Sequence, residues 1–87
     1  MKIIYADEFW KEFHALPGEI QRLYRKREDY FKKDWRDPRL HAKKLKEHPY
    51  PFSFRVTRRY RVLFAFIALD NVLFGAIGHR KDSYREG

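Results

Sequence analysis

Along the first third of the chain, apolar residues recur at helical spacing. From Phe52 onward they alternate with polar residues. The change of period marks a change of architecture. Lys2 to Tyr5 reads as a short strand, and Asp7 is placed to cap the helix that follows. Phe9, Trp10, Phe13 and Leu16 form the apolar stripe of that helix. Pro17-Gly18 interrupts it, and Pro17 can open a second helix. Ile20, Leu23, Tyr24, Arg27 and Phe31 then share one face at i, i+3, i+4, i+7 and i+11. A link this short makes the two helices an antiparallel hairpin.

Asp37-Pro38 signals a turn. Leu40 to Lys46 suits either one more helical turn or the entry to a strand. His48-Pro49-Tyr50-Pro51 is irregular, because two prolines cannot donate to a ladder. In the next segment Phe52, Phe54 and Val56 face one way, and Ser53, Arg55 and Thr57 the other. Arg58-Arg59 makes a turn, Tyr60 to Ala68 a more buried strand, and Asp70-Asn71 a hairpin turn into Val72 to Ile77. Gly75 and Gly78 allow a bend or a close approach, and a short polar tail runs from His79 to Gly87. The expected fold is α+β: a two-helix N-terminal hairpin packed on a small antiparallel β-sheet, in the order β-α-α-β-β-β. It forms one domain spanning residues 1–87.

A domain of 87 residues buries only about 60% of its unfolded surface. With no cysteine to form a disulfide, the 18% of aromatic residues must carry the core. No apolar run approaches the roughly 20 residues of a membrane span, and Met1 to Tyr5 lacks the apolar region of a signal peptide. The expected compartment is the cytoplasm, with no membrane partner.

Charge narrows the partners. The net charge is +8, which favours a polyanion. In the helices, acids nearly balance bases. Between Arg39 and Arg61, however, Arg39, Lys43, Lys44, Lys46, Arg55, Arg58, Arg59 and Arg61 face the single acid Glu47. Tyr50, Phe52 and Tyr60 lie among them, available either for base stacking or for the core. The acids of the second half, Glu47, Asp70, Asp82 and Glu86, are scattered, and His14, His41 and His48 show no ligand spacing. Neither set suggests a metal site or a cofactor.

The element order combines with Lys44-Leu45-Lys46, Phe54-Arg55-Val56, Tyr60-Arg61-Val62-Leu63-Phe64 and Gly78-His79-Arg80-Lys81-Asp82-Ser83-Tyr84. Leu16 to Ile20 adds a Leu-Pro-x-Glu-Ile helix junction. Over nearly its whole length the chain resembles the RelE/ParE superfamily of toxins from bacterial toxin–antitoxin modules. The resemblance implies a small sheet with two N-terminal helices and an acidic antitoxin partner. It implies one of two activities: ribosome-dependent mRNA cleavage, as in the RelE-like branch, or non-enzymatic inhibition of DNA gyrase, as in the ParE-like branch. A degenerate, binding-only member is a third reading.

Metal-free RNA cleavage needs a base for the 2′-OH, positive charge on the phosphorane, a proton for the leaving oxygen and in-line geometry. By resemblance, Arg61 and Arg80 stabilise the phosphate, Lys44 and Lys46 are the basic residues before the sheet, and Tyr84 is the C-terminal tyrosine. Guanidinium suits the phosphate role because it stays charged and binds in a bidentate way. His79 is the natural proton-transfer group, kept neutral by neighbouring arginines, with Lys44 or Lys46 as the other candidate bases. Lys43, Arg55, Arg58, Arg59 and Lys81 would grip the surrounding RNA. Retention of this set favours the ribonuclease branch over the gyrase branch.

Overall fold

The computed structural model describes residues 1–83. Strands β1 (Lys2–Tyr5), β2 (Lys43–Lys44), β3 (Phe52–Arg55), β4 (Tyr60–Ala68) and β5 (Asn71–His79) form one sheet in the order β1-β5-β4-β3-β2. Helices α1 (Asp7–His14) and α2 (Gly18–Lys33) belong to the layer on one face of it. A single turn, α3 (Arg80–Ser83), follows β5.

The α+β class and the β-α-α-β-β-β order hold, with two additions. β1 runs parallel to β5, pairing Ile3 with Val72 and Tyr5 with Phe74, so the sheet is mixed. A parallel neighbour requires a long crossover, and the helical hairpin supplies it. Of the two elements left open for Leu40 to Lys46, the strand forms, as the two-residue β2, while a 3-10 turn at Pro38–Leu40, capped by the Asp37 side chain, takes up the Asp37-Pro38 turn before it. Asp7, by contrast, is not a cap. Ala6 holds that position, and Asp7 and Glu8 instead place negative charge in the first turn, where the helix dipole favours it.

The core is aromatic. Phe31 on α2 lies 5.2, 5.1 and 5.0 Å, ring centre to ring centre, from Phe54, Phe64 and Phe74. Register aligns Phe52 with Phe64 and Phe64 with Phe74, so three adjacent strands present rings to the helices. Phe9, Phe13 and Tyr24 extend this cluster between the helices. The opposite face of the sheet carries Ser53, Leu63 and Ala76 in one row and Arg55, Arg61 and Gly78 in the next. A register shift beyond Leu63 leaves Gly75 outside the pairing, and the Tyr50 ring rests on its Cα. No described helix is long and apolar enough to cross a membrane.

Candidate nucleic-acid interface

The basic end of the sheet is assembled by a turn and a strand terminus. Thr57 Oγ1 accepts from the amides of Arg59 at 3.1 Å and Tyr60 at 3.2 Å. The Val56 amide donates to Tyr60 O at 2.9 Å. These bonds close the β3–β4 turn and leave Arg58 and Arg59 exposed at its tip. The Arg80 amide then donates to Arg59 O at 2.7 Å, tying the end of β5 to that turn. Arg58, Arg59, His79, Arg80 and Lys81 consequently line one open cavity of about 540 Å³. Among the described residues no carboxylate lines it, and like charges held together in this way focus a field that concentrates anions.

His79 is oriented from both sides. Tyr60 packs edge-on against its ring at 5.5 Å. Its Nδ1 accepts from the Lys81 amide at 3.2 Å. A neutral imidazole whose Nδ1 accepts carries its proton on Nε2, so the group it offers to a ligand is a donor.

Three solved structures share this arrangement of elements. One is the RelB–RelE antitoxin–toxin complex from Methanococcus jannaschii. It has 22% identity and a TM-score of 0.74, over 97% of this chain and 98% of that one. The chain has the RelE/ParE toxin fold. An archaeal RelE–RelB complex from Pyrococcus horikoshii OT3 matches with 16% identity and a TM-score of 0.72, over 94% of this chain and 97% of that one. A YoeB/ParE toxin from Agrobacterium tumefaciens matches with 16% identity and a TM-score of 0.67, over 91% and 98%. No family model and no curated protein matches the sequence.

On the RelE/ParE fold, the residues implied by sequence resemblance divide into groups. Arg80 is exposed in the cavity, whereas Arg61 is only 6% exposed and lies in register with Arg55 and Gly78 on the open face of the sheet. The missing side chain at Gly78 leaves Arg61 flanked by another strand's backbone. Lys43 stands in register with Ser53 and Lys44 with Phe52, at the far edge of the sheet. Three strand spacings, roughly 14 Å, separate that edge from β5. The register also sets the Lys44 row, Phe52 to Phe64, four residues or roughly 13 Å along the strands from the Tyr60–His79 row, so Lys44 and His79 stand at separate parts of the sheet. Lys46 is exposed just beyond β2. Tyr84 lies outside the described residues.

One nearby residue escaped the sequence reading. Glu12 Oε1 accepts from the Ile77 amide at 3.0 Å, capping the edge of β5 beyond the end of β1. Burial raises its carboxyl pKa above the ordinary value, against the lowering effect of that bond. Glu12, Leu16, Tyr60 and His79 border a second hollow of about 450 Å³. Only the polar break at Glu12 between Phe9 and Phe13 hinted at it, and helix periodicity alone does not distinguish a strand-capping acid from a solvated one.

Proposed function

We propose that the chain is the toxin of a toxin–antitoxin module and that it cleaves mRNA in the ribosome at the basic end of its sheet. The observation that carries this reading is the single cavity gathering Arg58, Arg59, His79, Arg80 and Lys81 on a RelE/ParE fold. Arg80 supplies a permanent bidentate charge for the scissile phosphate, and Arg61, by the resemblance, a second guanidinium. His79 Nε2–H donates to a non-bridging phosphate oxygen. By the resemblance Lys44 or Lys46 is the base for the 2′-OH, which requires the ribosome to bring the edge at β2 and the basic cavity onto one nucleotide as well as to impose the in-line geometry that a shallow surface lacks. Arg58, Arg59 and Lys81, with Lys43 and Arg55, hold flanking phosphates.

An acidic antitoxin complements the net charge of +8. Its apolar residues have a landing place at the β4–β5 tip, where Phe66, Ile67 and Leu69 are exposed at 38%, 51% and 104%.

The test is induction of the chain in bacteria with mapping of mRNA 5′ ends during growth arrest. Cuts in phase with codons, absent from an Arg61→Ala, Arg80→Ala variant, support the proposal. Arrest with intact mRNA and blocked DNA replication overturns it in favour of gyrase inhibition.

A further inference from the structure

A third cavity lies at the other edge of the sheet, between the 3-10 turn and β2, with a volume of about 330 Å³. Its apolar wall is Trp35 and Phe52, whose rings meet at 5.7 Å and 71°. Arg36, His41, Lys43 and Lys44 surround it. The Arg36 guanidinium stands 5.1 Å from the Trp35 ring centre. The one acid there, Asp37, accepts from Arg39 Nε at 3.1 Å and Nη2 at 2.7 Å, so its charge is already matched. His41, the C-cap of the 3-10 turn, adopts a left-handed conformation, φ 48° and ψ 45°, which ends the turn beside the cavity.

An aromatic wall under a ring of cations selects a flat π-system attached to negative charge. β2 joins this cavity to the basic face, because Lys43 stands in register with Ser53 and Lys44 with Phe52. We propose that the cavity seats one unpaired base of a single-stranded RNA, stacked on Trp35, while the adjoining phosphates cross β2 between Lys43 and Lys44. The inference rests on reading the basic face as an RNA surface. It assigns the stacking role to Trp35 because Trp35 lines this cavity, whereas Tyr50, against Gly75, and Tyr60, against His79, do not.

The experiment uses the full chain carrying Trp10→Phe, so that Trp35 is the sole indole. It is titrated at low salt with a 2′-O-methyl oligoadenylate, which cannot be cut, and with the same backbone lacking bases. The expected result is quenching of Trp35 by the first, with binding about 5- to 100-fold tighter than to the abasic strand. Lys44→Ser, an exposed change that spares the fold, should weaken both.

Equal binding of the two strands with unmoved Trp35 emission overturns the base site and leaves the RNA surface standing. Failure of both strands to bind overturns the two readings together. Quenching by an acidic, aromatic-bearing peptide but not by RNA also overturns the base site and assigns the cavity to a protein partner.

Discussion

The amide of Lys81 donates to Nδ1 of His79 across the start of α3, at 3.2 Å. The bond fixes which nitrogen faces the basic cavity and makes His79 a donor while it is neutral. His79→Gln keeps an N–H near the same place, whereas His79→Ala removes it. A hydrogen bond to a charged group contributes about 1.5–3 kcal/mol, so His79→Ala should lose about 10- to 100-fold in kcat/KM on ribosome-bound mRNA. His79→Gln should recover most of that loss. A glutamine variant as inactive as the alanine one, with loss of the acidic limb of the pH profile, would make His79 a base instead.

Gly75 is required by a neighbour rather than by its own dihedrals. A Cβ built there would stand 2.0 Å from Tyr50 Cζ. Gly75→Ala should therefore cost about 1–3 kcal/mol through overpacking. In a Tyr50→Ala background that clash with the ring is gone. Chemical denaturation of the four proteins should give a coupling energy of about 0.5–3 kcal/mol. Simple additivity would mean that Tyr50 does not rest on Gly75 in solution.

How far the sequence could be read depends on where each constraint originates. Phe9, Phe13, Tyr24 and Phe31 announce the helices because burial on one face repeats with the helical period. Alternation from Phe52 announces the sheet for the same reason. The parallel placement of β1 is invisible in four residues, since Lys2 to Tyr5 pair with Asn71 to Phe74 through backbone groups common to any sequence. β2 is shorter still. At the site, resemblance brought out His79 and Arg80, and charge brought out Arg58 and Arg59. Their meeting depends on a backbone bond from Arg80 to Arg59. Tyr60 to Ala68 read only as a more buried strand, and nothing in the pattern showed that Arg61 itself would be nearly buried there. The His79 tautomer is set by the amide of a residue two positions on, which no side-chain pattern encodes.

A carboxylate joins the helical hairpin to β1. Glu28 Oε2 accepts from both Tyr5 Oη and Tyr24 Oη, the latter at 2.7 Å, and Lys32 approaches Oε1 at 3.7 Å. Burial, reinforced by the carboxylate, raises both tyrosine pKa values, so the hydroxyls stay protonated and donate. Glu28→Ala leaves two donors without this acceptor and should destabilise by about 2–4 kcal/mol. Tyr24→Phe removes one bond and should cost about 1–2 kcal/mol. Urea midpoints measure both, and equal losses would contradict a shared acceptor.

Glu12 gives the fold a small pH dependence. Its native pKa lies above the ordinary 4.5 because burial disfavours the anion. The native state thus holds this proton more tightly than the unfolded chain, and the group's contribution to stability falls as pH rises from about 4.5 through the raised value. Glu12→Gln keeps an acceptor for the Ile77 amide and removes the charge. Screening at this partly exposed position limits the gain near neutral pH to about 0.5 kcal/mol, or about 2–4 °C in Tm. At about pH 3.5, where Glu12 is protonated in both states, the two proteins should melt together. A gain that persists in acid would have another origin.

The arginines of the β3–β4 turn should show themselves in salt dependence. If Arg58 and Arg59 each neutralise one phosphate of a single strand, each releases counterions, and log K falls against log salt with about 0.7 of slope per contact. Arg58→Ala and Arg59→Ala should each flatten the slope by about that amount and weaken binding alike for every sequence. Lys26→Ala removes an equal charge from an exposed site on α2, far along the chain from the cavity. It should leave the slope nearly unchanged. Fluorescence anisotropy of a labelled 2′-O-methyl oligonucleotide across a salt series separates the cases. Equal flattening by all three variants would mean that net charge, rather than the cavity at the end of β5, holds the RNA.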